Sequence, residues 1–334
     1  MDRLITSLAT ISPLNFLANS LLGHYVTIFM LHRPQPVNNI YNGICPRLLD
    51  NCLTYAQKKG FEFLSIDDVV TMSIRGDNPK KPILCFTMDD GYLDQLTVLT
   101  PIFLKHNAKP TIFVLSDFSD NIDWPWDAKL IYLTQTTVIS KIEIEFDNSV
   151  FTLSFDTLQN RISSRRQLTG FAKHLADEKQ DRFLKLLEDK LQVNLPPVAP
   201  IEFAPADWES LRHYQKLGLN VGAHGKTHKV FNILSDEQVN IELTTSKNRL
   251  LQEIPTASNV YCYSSGTDKD YASRHCALVA NANFSAALSA KPGNTTLASI
   301  QQDLFNIKRH SFPSTLERFI RYSSWIEHLR SKID

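Results

Sequence analysis

Short apolar runs alternate with longer amphipathic segments along most of this chain of 334 residues. The runs VTIFML (26–31), ILCFTM (83–88) and TIFVL (111–115) are rich in β-branched and aromatic residues, which predicts buried strands. The segment PRLLDNCLTYAQKKG (46–60) has helical apolar spacing and ends in glycine, which predicts a helix. The segment LDQLTVLTPIFLKHN (93–107) predicts a second helix, and the alternation resumes at about residue 205 and ends in a strand predicted over LFNIKRHSF (304–312) and a helix predicted over STLERFIRYSSWIEHL (314–329). Strand and helix in repeated succession indicate an α/β protein with a parallel sheet, either open or closed into a barrel.

Residues 126–200 break this alternation. The stretch KIEIEFDNSVFTLSF predicts an antiparallel hairpin that turns at Asp147 and Asn148, and QDRFLKLLEDKL predicts a helix. The proline-rich LPPVAP then leads back to the main pattern. We interpret 126–200 as an insertion on one βα loop of a single barrel domain that spans residues 25–330. We interpret residues 1–24 as a separate N-terminal segment.

Composition narrows the choice of partner and compartment. The 35 basic side chains balance the 35 acidic ones, so no overall field favours nucleic acid or an anionic membrane. The five cysteines are scattered without a CxxC pair, which favours a reducing compartment. The N-terminus shows neither a signal peptide nor a transmembrane helix. We therefore expect a cytoplasmic protein, with membrane association left open.

The N-terminal segment has apolar residues at helical spacing, at Ile5, Leu8 and Ile11. This pattern predicts a short amphipathic helix that packs on the domain or touches a membrane surface. Packing is the interpretation that we favour.

The chemistry begins at the strand predicted over 83–88, which is followed directly by Asp89, Asp90 and Gly91. Taken alone, this sequence is typical of a turn or a helix cap. A second predicted strand, however, ends in HGKTH, and its histidines, His224 and His228, lie four residues apart. Two imidazoles at a strand end can converge on one divalent ion, and a carboxylate from a neighbouring strand end completes three protein ligands. Strand ends of this kind meet at one face of a parallel barrel.

Together, TMDDG and HGKTH resemble the first two motifs of the NodB-type polysaccharide deacetylase family, carbohydrate esterase family 4. The resemblance runs from about His32 to His310. It implies a distorted (β/α) barrel of about seven parallel strands, with the insertion on one βα loop. It also implies a hydrolase that removes acetyl groups from N-acetylated saccharides.

The resemblance assigns a role to each residue of the two motifs. It implies that Asp89 is the catalytic base and that Asp90, His224 and His228 hold one divalent metal ion. Zinc is the ion that we expect, and cobalt, nickel or iron can also be held by two imidazoles and a carboxylate. Gly225 stands where the family has a hydroxyl residue, and this removes a hydrogen bond that braces the loop.

The remaining motifs depart from the family pattern. YCYSSG, ending in Tyr263, Ser264, Ser265 and Gly266, stands in place of Arg-Pro-Pro-Tyr-Gly, so the base lacks its usual arginine brace. The backbone N–H of Ser265 can still bind an oxyanion, and Tyr263 is expected to contact substrate. No fourth motif, an Asp-rich stretch ending in Trp, is found.

The fifth motif, Leu-x-His, is echoed only by residues 307–310. Adjacent residues on a strand face opposite ways, so only one of Arg309 and His310 can point into the site. Arg309 there would replace the missing brace on Asp89. His310 there would be the general acid.

Other residues have weaker claims on the site. His32, at the end of the first strand, is predicted either to line the pocket or to be a hydrogen-bonded structural histidine. Trp124, Trp126 and Trp208 lie beside the expected rim, where they can stack on a sugar or pack in the core.

We therefore expect a metal-dependent N-deacetylase that releases acetate and a free amino sugar from a polysaccharide or a lipid-linked glycan. One alternative keeps the metal and changes the substrate to a small cyclic amide. A compact pocket would favour this alternative, and an open groove lined by tryptophans would favour a glycan. The other alternative is a carbohydrate-binding relative without catalysis. The altered later motifs favour it, and the complete set of two aspartates and two histidines opposes it.

Overall fold

The computed structural model describes residues 24–37 and 41–331. The strands of this part are β1 (Val26–Leu31), β2 (Glu62–Phe63), β3 (Ile83–Met88), β4 (Thr111–Val114), β5 (Lys141–Phe146), β6 (Ser149–Ser154), β7 (Asn220–Ala223), β8 (Val260–Cys262), β9 (Ala286–Leu288) and β10 (His310–Ser311). The first helices are α1 (Pro46–Lys58), α2 (Ile66–Arg75), α3 (Thr100–Lys105), α4 (Ser116–Ser119), α5 (Trp126–Thr136), α6 (Leu158–Ala172) and α7 (Asp177–Leu191). They are followed by α8 (Trp208–Lys216), α9 (Asp236–Glu253), α10 (Ser273–Asn281), α11 (Leu297–Gln302), α12 (Leu316–Tyr322) and α13 (Trp325–Arg330).

One parallel sheet forms the centre of the fold. Seven strands follow one path in the order β10-β1-β3-β4-β7-β8-β9, and the short β2 pairs with β3 outside that path. The path nearly closes on itself, because Ile307 bridges Leu288 of β9 and His310 pairs with Phe29 of β1. The predicted distorted barrel of about seven parallel strands is confirmed.

The alternation of side chains along each strand separates two hydrophobic layers. Ile28 and Cys85 belong to the cluster inside the barrel, which also contacts α2 and α11. Their neighbours Phe29 and Phe86 belong to the larger cluster that packs the outer helices. The same alternation fixes which side chain beyond each strand end faces the barrel axis.

The insertion has its own hydrophobic core. Strands β5 and β6 form a two-stranded antiparallel sheet, and their apolar faces pack against α5, α6 and α7 through residues such as Leu130, Phe155 and Phe183. The predicted turn at Asp147 and Asn148 is confirmed, and both residues have positive φ angles, 48° and 62°. This conformation is the one that suits a two-residue hairpin loop.

Three predicted elements differ from the structure. The helix predicted after Asp90 starts as a π-helical turn, Gln95–Leu99, before it continues as α3. The strand predicted over LFNIKRHSF is reduced to His310–Ser311, and the last predicted helix divides into α12 and α13. The predicted N-terminal amphipathic helix lies outside the described residues. Within the part of the chain that the structure describes, no helix is both long and apolar enough to span a membrane.

Candidate active site

The two carboxylates of TMDDG stand at the carboxyl end of β3 in a tight turn. Asp89 and Asp90 are both buried, with 3% and 6% of their surfaces exposed. Asp90 has a φ of 83°, and a Cβ on Gly91 would come within 2.9 Å of a Val114 side-chain carbon. A non-glycine residue in this conformation costs about 1–3 kcal/mol and persists only where its surroundings hold it. The turn therefore fixes the direction of the Asp90 carboxylate.

Asp90 faces two imidazoles across a small gap. Its Oδ1 lies 3.4 Å from Nε2 of His224 and 3.3 Å from Nε2 of His228. The three ligand atoms lie within 4.8 Å of one another, and Oδ1 is buried without a hydrogen-bond partner among the described residues. A buried carboxylate oxygen aimed at two imidazole nitrogens fits a divalent cation. The chemistry of these donors therefore matches the expected metal site.

The other ring nitrogen of each histidine is already engaged. Nδ1 of His224 lies 2.9 Å from the backbone oxygen of Cys262, and Nδ1 of His228 lies 3.2 Å from Oδ1 of Asp127. With Nδ1 engaged as a donor, Nε2 is the ring nitrogen of each histidine that can bind a metal ion on the side of Asp90. This arrangement is typical of histidines that bind metal.

The carboxylates around His228 change its protonation. Burial alone would lower its pKa, but Asp127 and Asp90 outweigh burial and raise the pKa to about 9. For Asp90 the effects have the opposite sign: burial alone would raise its pKa, but His228 and His224 hold the pKa below the ordinary value. An ion bound at Nε2 must therefore displace a proton near neutral pH.

Arg309 forms a buried ion pair with Asp89. Its Nη1 and Nη2 donate to the two carboxylate oxygens of Asp89 at 2.7 and 2.9 Å, and its Nη1 and Nε also donate to Thr87 Oγ1 and to the Ser289 carbonyl. Burial would raise the pKa of Asp89, but Arg309 and His224 hold it below its ordinary value. Asp89 is thus anionic at neutral pH and held in one orientation, as a general base requires.

His310 does not belong to this site. Its ring stacks on Tyr322 at 4.9 Å between centroids, and its Nε2 lies 3.0 Å from Oδ1 of Asn294. The alternation along β10 turns it to the outer layer while Arg309 faces inward. The role of general acid that we considered for His310 is therefore corrected.

Replacing Arg309 by methionine should leave the buried Asp89 charge without its partner. We expect a loss of about 3–5 kcal/mol in the free energy of unfolding. The pKa of Asp89 should rise, so any activity that needs the carboxylate should fall off at a higher pH than in the wild type. Urea unfolding and a pH profile of the rate measure the two effects. Arg309→Lys keeps the charge but loses the two-pronged contact, and both effects should be smaller.

His310 should affect stability at acid pH and leave catalysis intact. Burial and, to a smaller extent, Arg330 and Arg321 lower its pKa to about 4, against about 6.5 in an unfolded chain. Because the unfolded state takes up the proton first, stability should fall by about 3 kcal/mol as the pH drops from 6.5 to 4. His310→Gln should remove that part of the pH dependence in thermal unfolding, with an unchanged rate at pH 7. A large loss of rate would restore His310 to the site.

The turn after β8 keeps one expected contributor and loses another. Ser265 has a φ of 62°, and its N–H has no acceptor among the described residues, so it can bind an oxyanion. Tyr263 points the other way: its ring stacks on Tyr271 at 4.0 Å, and its hydroxyl donates to the Phe305 carbonyl. Tyr263 therefore packs the outer layer, and its expected contact with substrate is corrected.

His32 and the tryptophans occupy different places. His32 is exposed at the end of β1, and Gln95 Nε2 donates to its carbonyl at 2.9 Å and to the Asp89 carbonyl at 2.6 Å. Trp124, Trp126 and Trp208 are buried, with 3%, 6% and 7% of their surfaces exposed. Trp124 and Trp126 border a cavity of about 330 Å³ whose lining includes none of the three ligands. The tryptophans thus do not offer open faces to a sugar at the metal site.

The chain is similar to known proteins in structure rather than in sequence. No protein-family model matches the sequence, and no curated protein matches it either. Solved structures match over nearly the whole chain. The deacetylase PplD of Streptococcus pyogenes is 15% identical, with a TM-score of 0.59, over 90% of this chain and 98% of that one. IcaB from Ammonifex degensii is 11% identical, with a TM-score of 0.55, over 91% and 98%.

A polysaccharide deacetylase from Bacillus cereus is 12% identical, with a TM-score of 0.53, over 90% of this chain and 69% of that one. The chain has the fold of the NodB-type polysaccharide deacetylases. At these identities the likeness concerns the fold, and the chemistry has to be argued from the residues of this chain.

Two residues that support the candidate site in this NodB-type barrel were not predicted from the sequence. Glu242 of α9 accepts hydrogen bonds from the N–H groups of Lys226 and Thr227, at 2.6 and 3.1 Å, and from the Thr227 hydroxyl. A Cβ at Gly225 would lie 3.1 Å from Glu242 Oε2, so the glycine lets this carboxylate approach. Glu242 thus supplies the brace whose loss we expected. Its only signal in the sequence is an acidic residue on the buried face of a helix, between Val239 and Leu243.

Asp127 is the second missed residue. It contacts His228 from the first turn of α5. It follows Trp126, which we had expected only to lie beside the rim of the site. An aspartate in the first turn of a helix is typical of helix starts, so the sequence offers no sign of a second role.

Proposed function

We propose that this protein is a metal-dependent N-deacetylase that hydrolyses the acetamide group of an N-acetylated saccharide to acetate and a free amino sugar. The observation that carries the proposal is the meeting of the Asp89–Arg309 pair with Asp90, His224 and His228 at one end of the barrel. The fold supports it, because the Streptococcus pyogenes neighbour is a deacetylase whose structure contains acetate.

Asp90, His224 and His228 are the residues that would hold the ion, and zinc is the metal that we propose. A divalent ion bound there supplies a Lewis acid that polarises the amide carbonyl and makes water more acidic. The residues of the chain orient the reacting groups, keep the base ionised and transfer the proton.

Asp89 accepts the proton of the attacking water. Arg309 keeps its carboxylate ionised and oriented during this step. The water oxygen forms a bond to the carbonyl carbon, the carbon–nitrogen bond breaks, and the nitrogen takes up a proton. Asp89 carries the proton that it received from water and can return it to the leaving nitrogen.

The backbone N–H of Ser265 is the proposed donor to the oxygen that becomes negatively charged. A preformed donor of this kind stabilises charge that develops only in the transition state. Ser264 holds the turn in place, because its hydroxyl donates to the carbonyl of His224 at 3.0 Å. The oxyanion turn and the metal loop are thereby fixed to each other.

The test is hydrolysis by the purified protein after loading with Zn²⁺. N-acetylated oligosaccharides and polymers should release acetate and free amine in equal amounts. A panel of small cyclic amides tests the alternative enzyme in parallel. If the protein binds N-acetylated saccharides but releases acetate from none of them, the result would contradict the proposal and favour the carbohydrate-binding alternative. The cytoplasmic location and the N-terminal membrane contact stay predictions from sequence.

A further inference from the structure

The insertion reaches back to one metal ligand through two neighbouring residues. Asp127 Oδ1 lies 3.2 Å from Nδ1 of His228, and Trp126 Nε1 donates to the His228 carbonyl at 3.1 Å. The Trp126 and His228 rings also lie in an offset stack, with centroids 6.5 Å apart and planes 28° apart. One turn of α5 thus contacts both the ring and the backbone of the same histidine.

His228 needs such support more than His224 does. Its φ is 65°, a conformation that costs a residue other than glycine about 1–3 kcal/mol. His224 follows β7 directly, and its Nδ1 is held by the Cys262 carbonyl of the neighbouring strand. The barrel itself therefore positions His224, whereas His228 depends on a segment that interrupts the barrel pattern.

Two further contacts dock the insertion on the same face. Lys229 donates to Gln180 of α7 at 2.6 Å, immediately after the metal loop. Lys173, at the end of α6, pairs at 2.7 Å with Asp270, which is buried in the segment that follows the YSSG turn. The insertion thus contacts the segments after both β7 and β8, which carry two of the three proposed ligands and the oxyanion donor.

We infer that the insertion is a structural part of the metal centre and that Asp127 is its positioning residue, which fixes the His228 ring so that Nε2 faces Asp90. The inference deepens the proposed function and rests on its metal site, but it does not depend on which saccharide is the substrate. A carboxylate behind a metal-binding imidazole typically contributes about 10–100-fold to metal affinity. Here that contribution comes from outside the barrel.

The experiment measures the affinity of the full-length protein for Zn²⁺ by competition with a chromogenic chelator. Asp127→Ala should bind Zn²⁺ about 10–100-fold more weakly than the wild type. Asp127→Asn, which keeps an oxygen acceptor, should show a smaller loss. The control is Asp147→Asn, which removes an exposed carboxylate of the same insertion, paired with Lys179 at 2.8 Å, without touching the metal loop. The control should bind as the wild type does.

Two additional measurements separate positioning from folding. Thermal unfolding of the metal-free proteins should place Asp127→Asn close to the control. The visible spectrum of the Co²⁺-loaded protein, which reports the ligand geometry, should change in the Asp127 variants and stay the same in Asp147→Asn. If Asp127→Ala does not fold, Asp127→Asn and Trp126→Phe carry the test through the same readouts.

An affinity for Zn²⁺ within twofold of the wild type in folded Asp127 variants, with an unaltered Co²⁺ spectrum, would overturn the inference. The outcome is distinct from the fate of the proposed function. Weaker metal binding in the variants supports the inference even if no N-acetylated saccharide is hydrolysed. Unchanged metal binding overturns it even if acetate is released.

Discussion

Replacement of Asp89 by asparagine is expected to lower the rate of acetate release by about 10²–10⁴-fold while metal binding persists. The amide cannot accept the proton from water, but it leaves Asp90, His224 and His228 in place. Metal content and rate, measured on the same samples, test this division between the two aspartates. Loss of the metal together with the rate would show that Asp89 is itself a ligand and that the assigned roles are wrong.

The matched control for Asp89→Asn is Asp94→Asn. Asp94 pairs with Arg33 at 2.7 Å, in a second, partly buried aspartate–arginine pair a few residues further along the chain. Both substitutions leave an arginine without its anionic partner, so both should destabilise the fold. Only Asp89→Asn should remove the proton acceptor. An equal loss of rate in the two variants would indicate that the effect of Asp89→Asn comes from folding.

Replacement of His228 by alanine is expected to weaken Zn²⁺ binding more than about 100-fold. This exceeds the loss expected when only a residue that hydrogen-bonds to a ligand is removed. One of three protein ligands disappears, and the Asp127 carboxylate loses its partner. Elemental analysis after dialysis against a weak chelator measures the effect, with His213→Ala as a control histidine on a helix outside the site. Full metal content in His228→Ala would contradict the ligand assignment.

The sequence predicted the sheet and the meeting of Asp90, His224 and His228, because their signals are local. Six-residue apolar runs marked β1 and β3, and the charged residues placed directly after strands marked the reactive face. Strand alternation also reduced the fifth motif to a choice between Arg309 and His310. The choice itself depends on the register of β10 against β1, where Phe29 pairs with His310, and no short pattern encodes this register.

The supporting residues were harder to predict, because each acts across a large separation in the chain. Asp127 lies 101 residues from His228, and Arg309 lies 220 residues from Asp89. Their residue types have ordinary local explanations, such as a helix start for Asp127. The predicted contact of Tyr263 with substrate was wrong for a related reason. The prediction came from the resemblance of its motif to the family, but the side chain packs against the outer helices.

Secondary structure was missed where the hydrophobic pattern is weak. Helix α6, LQNRISSRRQLTGFA, has buried residues at Ser164, Leu168 and Ala172, so two small side chains take positions where apolar periodicity is normally read. Its start is set by Thr157, whose hydroxyl accepts the Asn160 N–H. The packing of the insertion, rather than the amphipathic pattern, specifies this helix.

The measurement that tests the account most directly is the metal content of the purified protein and of His224→Ala, with acetate release from N-acetylated glycans determined on the same samples. We expect about one divalent ion per chain in the wild type, its loss in the variant, and acetate from the metal-loaded wild type alone. A protein that takes up no ion under any loading condition, or that releases acetate equally well without one, would contradict it.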